Sequence, residues 1–205
     1  MQRVNYERIK SIIGDVFEEN ADFLNHIPID IFGLARKMGF RLLKASDLIK
    51  RSKEKLLSHR EINKEKVIYG YTFFDKEKME YVIYYDDIIA NKNKQRFSVA
   101  HEIGHIVLGH IDGGIQNSNI AEKEADYFAG YVLCPDCLST NDDICKILFK
   151  YPYKIPKWFG VAEDTASIQL RHHSGRNSLQ LSNRYEYENI IMGCLEEAVL
   201  TKIRD

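Results

Sequence analysis

Nowhere in the 205 residues is there an apolar run approaching the ~20 residues that a membrane-spanning helix needs. Residues 1–20 mix charges with apolar positions and lack the apolar core, about 7 to 15 residues long, of a secretory signal. Both absences lead to the expectation of a soluble, cytoplasmic protein. Net charge is also lacking: the balance is −1, which leaves no general attraction for nucleic acid. Basic residues do cluster at 50–66 and 171–176, but the first run alternates with Glu54, Glu61 and Glu65 and reads as a solvated loop. Cysteine is scarce, with single residues at 134, 137, 145 and 194, a usage that suits a compartment where thiols stay reduced. Cys134-Pro135-Asp136-Cys137 spells CxxC, yet no second pair or thioredoxin-like context accompanies it, so two buried thiols are expected. Repeats and low-complexity tracts are absent too.

What is present is a hydrophobic share of 44%, enough to bury one sizeable core in a chain of this length. Within it, residues 101–105 read His-Glu-Ile-Gly-His, the HExxH signature of zinc peptidases. At 3.6 residues per turn, positions four apart share a helix face, so His101 and His105 can converge on one Zn²⁺. Glu102 lies between them, off the ligand axis but within reach of a water at the metal, whose proton it can take as general base. The plainer alternative is a surface helix with two solvated histidines. Phe97, Val99, Ala100, Ile103, Ile106, Val107 and Leu108 argue against it, because they make the helix apolar on most sides and therefore buried. Desolvating two histidines and a glutamate without partners is costly.

A zinc hydrolase needs a third protein ligand and an open position for water. The metzincin pattern fails, since Leu108 and Ile111 occupy the positions where it requires Gly and His. His110 points away from the ligand face on a continued helix, which suits a helix-end or supporting residue rather than a ligand. Residues 121–135 offer a carboxylate instead. Glu122 and Asp126 are four apart and share a face, so Glu122 can bind the metal while Asp126 accepts the free ring N–H of a ligand histidine. Glu124 points elsewhere and reads as a solvated helix charge. The turn-rich stretch 112–119 is long enough for this second helix to fold back on the first.

Arg96-Phe97-Ser98-Val99-Ala100-His101-Glu102-Ile103-Gly104-His105, followed by Glu122-Lys123-Glu124-Ala125-Asp126-Tyr127-Phe128-Ala129 through Pro135, resembles the paired motifs of the ImmA/IrrE-type metallo-endopeptidases. Two linked motifs at the right separation are far more specific than HExxH alone. The resemblance extends weakly to residues 27–39 and to 159–170, with Ala162, Gln169 and Cys134 departing from the family's usual Ser, Arg and Met. It implies zinc held by His101, His105 and Glu122, with Glu102 as general base. It also implies a protein substrate, a helix-turn-helix repressor carried on a separate chain.

The remaining pattern predicts an α+β, zincin-like domain, with a small antiparallel sheet packed on the HExxH helix and a helical C-terminal extension. The expected division is a catalytic portion at 1–150 and the extension of the same domain at 151–205. Helices are expected at 4–18, from Pro28 at a first-turn position to 39, at 92–109, 121–135, 139–151, 163–173 and 184–203. A strand is expected at 40–43 and a hairpin at 67–74 and 79–85, whose edge offers an extended peptide a place beside the metal. For the oxyanion the chain offers only Tyr127, Tyr131, His172 and His173, and none is singled out. A competing class is a regulatory module, with a structural or vestigial zinc site, in which the helix-turn-helix-flavoured segment 155–176 contacts DNA or a repressor. An intact Glu102 speaks against it, because a structural site has no use for a base.

Overall fold

A computed structural model describes residues 4–47, 70–115, 118–178 and 185–204. The charged run at 50–66, read as a solvated loop, and the first residues of the expected hairpin lie outside them.

Five helices begin at a side-chain cap of the expected chemical type. Helix α1 (Tyr6–Glu19) starts at Asn5, and α2 (Ile31–Lys37) at Asp30. Helix α3 (Lys92–Val107) is capped by Asn91 and α4 (Asn119–Leu133) by Ser118. Asn141 caps α5 (Asp142–Lys150) after a short 3₁₀ turn at Asp136–Thr140. Pro28 does not open α2 as expected. It precedes the helix, and Asp30 accepts from the Gly33 amide at 3.0 Å in its place. Helices α6 (Ile155–Phe159), α7 (Glu163–Ser178) and α8 (Glu186–Arg204) complete the chain.

Strands β1 (Arg41–Lys44), β2 (Gly70–Asp75) and β3 (Glu80–Tyr85) form a three-stranded sheet in the order β1-β3-β2. The hairpin is antiparallel, with Gly70 opposite Tyr85 and Asp75 opposite Glu80. Its tight turn is closed by Asp75, whose carboxylate accepts from the Glu77 and Lys78 amides at 3.1 and 3.2 Å. Strand β1 joins β3 in parallel, Arg41 facing Val82, so the sheet is mixed rather than purely antiparallel. The long connection after β1 is what makes this possible, because a parallel neighbour requires a crossover.

The sheet lies on α3 through β2 and β3, and α4 packs along the other side of the same helix. Val99, Ala100 and Ile103 of α3 and Ala125, Phe128 and Ala129 of α4 are fully buried, so the HExxH helix is the centre of the core. One hydrophobic cluster runs from Ile9 in α1 to Ile203 in α8. Helix α8 packs against α1, which in turn packs on α4. The result is an α+β, zincin-like architecture dominated by helices.

The first turns of α3 also grip a remote segment. Arg96 donates from Nε to the Gly160 carbonyl at 2.9 Å and from Nη2 to that of Phe159 at 3.5 Å. Asn93 donates to the Val161 carbonyl at 2.8 Å. Residues 159–161, the start of the 159–170 segment that shares the family resemblance, are thus a backbone anchor for the HExxH helix.

Candidate metal centre

His101 and His105 sit one turn apart on α3, and their Nε2 atoms face each other at 3.0 Å. Glu122, in the first turn of α4, brings Oε2 to 3.7 Å from His101 Nε2 and Oε1 to 3.7 Å from His105 Nε2. The three donors lie within 4.8 Å of one another and can hold a metal ion. The donor chemistry fits zinc, which takes imidazole nitrogen and carboxylate oxygen in three-ligand sites. The outer nitrogens support that fit. His101 Nδ1 lies 2.8 Å from Asp126 Oδ1. An ionised carboxylate only accepts, so His101 donates from Nδ1 and keeps its Nε2 lone pair for the metal.

His105 is almost fully buried, and its outer nitrogen meets another histidine, with His110 Nδ1 at 3.1 Å. The sequence-based expectation for His110 assumed a helix that continues past Gly109. Instead Gly109, at φ +77°, ends it. His110 N–H closes on the His105 carbonyl at 2.9 Å and Gly109 N–H on that of Ile106 at 3.0 Å. This is a Schellman termination, for which glycine's freedom at positive φ is the usual requirement. It swings His110 back under His105, where it is 2% exposed. His110 Nε2 then meets Glu124 Oε2 at 3.1 Å. Glu124, expected to be a solvated charge, has a side chain only 12% exposed. Gly109 was the available signal for both.

Glu102 is buried beside the donor set but engaged elsewhere. Thr72 on β2 donates its hydroxyl to Glu102 Oε2 at 2.7 Å. Gly70 makes room for the same carboxylate, since a Cβ there would lie 2.8 Å from Oε1. Neither partner was legible in the sequence, because the strand that carries them is thirty residues distant.

Burial pushes the Glu102 carboxyl above the ordinary carboxylate value, despite the opposing pull of His101 and Thr72. Burial followed by the charges of His101 and His110 brings His105 down to about 3. His105 is therefore a neutral imidazole near pH 7, the form that binds metal. Burial pulls His101 down as well, but the hydrogen bond to Asp126 and the charges of Glu102 and Glu122 outweigh it and leave His101 above the ordinary imidazole value.

The oxyanion candidates separate by burial. Tyr131 is sealed in the core, while Tyr127 and His172 line a cavity of about 350 Å³ next to Asp126. The side chain of His173 lies outside the described residues. Cys134 and Cys137 are both buried and neither is in a disulfide, as expected.

The family model described as Peptidase_M78, IrrE N-terminal-like domain, matches residues 56–171. The chain belongs to this metallopeptidase family. The matched span runs through the Peptidase_M78 hairpin, the HExxH helix, the carboxylate helix and most of α7, so every side chain of the centre lies inside it. Helices α1, α2 and α8 and strand β1 lie outside it. No curated protein matches the chain.

Proposed function

We propose that the protein is a zinc-dependent endopeptidase. In this reading His101, His105 and Glu122 hold the metal, Asp126 orients His101, and Glu102 is the general base. One observation carries it: two imidazole Nε2 atoms and one carboxylate converge, while a second carboxylate on the same helix turn is kept out of the donor set by Thr72. Zinc in that set would supply Lewis acidity for the peptide carbonyl and would lower the pKa of water toward ~7.

With Oε2 held by Thr72, Glu102 uses Oε1 to take the proton of the attacking water and return it to the leaving amine. The upward shift that burial gives its pKa favours the return of the proton as well as its capture. Strand β2, which pairs only with β3 among the described residues, presents an edge beside Glu102. An extended peptide adds to such an edge through main-chain hydrogen bonds.

The proposed substrate is a cytoplasmic helix-turn-helix repressor on a separate chain, whose cleavage relieves repression. Family likeness supports that choice. The competing DNA-binding reading of 155–176 fares worse. Helix α6 is five residues long with Ile155, Trp158 and Phe159 buried, and α7 opens on Glu163 and Asp164. Acidic residues at the head of the second helix repel phosphate, the source of most affinity for DNA.

The test compares zinc-loaded wild type with Glu102→Gln on such a repressor and on an unstructured protein. The variant should keep its zinc and cleave at least ~10²-fold more slowly. Equal cleavage would discard Glu102 as the base.

A further inference from the structure

We infer that His110 and Glu124 form a positioning relay that sets the tautomer and ring orientation of His105, so that its Nε2 lone pair faces the metal site. The inference rests on the reading of His105 as a ligand. Glu124 accepts and does not donate when ionised, so the proton between Glu124 and His110 resides on His110 Nε2. His110 Nδ1 is then an acceptor, and His105 Nδ1 must supply the proton across the 3.1 Å contact. That leaves Nε2 of His105 bare and turned to the donor set. The chain of three side chains thus transmits one instruction from a carboxylate on α4 to a ligand on α3.

The two ligand histidines are steadied in different surroundings. His101 leans on Asp126, whose side chain is 59% exposed, where water can substitute for the carboxylate. His105 has no such substitute. His110 is 2% exposed and His105 4%, and the ring planes meet edge-on at 71° with centroids 5.1 Å apart. An imidazole left without this acceptor would have only the 3.0 Å contact with His101 Nε2 to bias its proton.

Helix α4 therefore commits three acidic residues to the centre: Glu122 toward both Nε2 atoms, Asp126 behind His101, and Glu124 behind His110. Glu124 reaches its partner from another flank of α4, because the turn after Gly109 carries His110 round to meet it. Supporting groups of this kind typically contribute 10–100-fold to metal affinity.

The experiment uses the full chain and the variants His110→Phe, His110→Gln and Glu124→Ala. Glutamine can accept from His105 through its oxygen and donate to Glu124 through its nitrogen, so it restores the relay that phenylalanine removes. Ring-nitrogen NMR shifts of His105 in ¹⁵N-labelled, metal-free protein should report the Nδ1–H tautomer in wild type and His110→Gln. In His110→Phe and Glu124→Ala that preference should be lost. The Zn²⁺ dissociation constant, measured by chelator competition, should rise 10–100-fold in those two variants and stay within about threefold in His110→Gln. An unchanged tautomer in His110→Phe overturns the relay, as does unchanged zinc affinity. Should His110→Phe not fold, Glu124→Ala against His110→Gln decides by the same two measurements. Wild-type protein that binds no zinc would overturn the ligand reading instead, while the tautomer measurement would still judge the relay.

Discussion

Thr72, on the edge strand of the sheet, gives its hydroxyl proton to Glu102 Oε2 at 2.7 Å. The two side chains are 1% and 7% exposed, so the contact is dry and charge-assisted. It couples the strand that a peptide would pair with to the carboxylate that would move the proton. Substrate alignment and base alignment share one piece of backbone.

Removing that hydroxyl should therefore be visible in kinetics. Thr72→Val keeps shape and burial but leaves Glu102 without its donor, a loss of about 1.5–3 kcal/mol for a bond to a charged group. We expect kcat to fall roughly tenfold or more on that basis. The bond favours the ionised carboxylate, so its loss raises the Glu102 pKa further and moves the acidic limb of the kcat/KM profile to higher pH. A profile that stays in place would mean that Thr72 does not tune the base.

Gly70→Ala should cost activity by steric means. The added methyl would meet Glu102 Oε1 at 2.8 Å and Cγ at 3.0 Å, forcing either the carboxylate or the strand aside. Displacements of this size at a catalytic group cost on the order of 10²-fold. Zinc affinity should stay within about threefold, because the histidines are untouched. Full activity would show that the strand moves instead.

Arg96 connects the metal helix to the C-terminal half through the carbonyls of Phe159 and Gly160. Arg96→Leu leaves both buried acceptors unpaired, at a cost of about 2 kcal/mol. Urea unfolding should show the lower midpoint, and zinc binding below the transition should be little changed. A midpoint equal to wild type would mean that water replaces the guanidinium.

Cys134 and Cys137 should resist alkylation although neither is in a disulfide. Burial, followed by the charges of Asp136 and Cys137, pushes the Cys134 thiol far above its ordinary range. A raised thiol pKa means less thiolate at any given pH, so iodoacetamide labelling at pH 8.5 should be slow in the native protein and fast in urea. The half-exposed Cys145 should label first. Rapid native labelling of Cys134 would indicate an opening at the C-terminal end of α4.

Much of the centre was readable from local spacing. His101 with His105, and Glu122 with Asp126, are i,i+4 pairs on helices whose existence follows from apolar periodicity. Such pairs converge wherever the helix forms. The helix ends were readable too, because asparagine, aspartate and serine cap by contacts to amides two or three residues on. The reading of His110 as a helix-end or supporting residue agrees with the structure, but its direction and the burial of Glu124 were misjudged for one reason. Continuing the helix through Gly109 sent His110 away from the site, and a single left-handed residue reversed that.

The order of amino acids was sufficient for the family and for the HExxH helix and the carboxylate helix, whose donor-bearing faces each depend on residues a turn apart. Only the folded chain could decide what surrounds them. The pairing of β1 with β3, the placement of Thr72 and Gly70 against Glu102, the hold of Arg96 on residues 159–160 and the His105–His110–Glu124 chain all join segments distant in sequence. No local periodicity encodes such meetings. They arise when several apolar faces bury against one helix at once, and each remaining buried polar group must then find a partner among the few that packing leaves within reach.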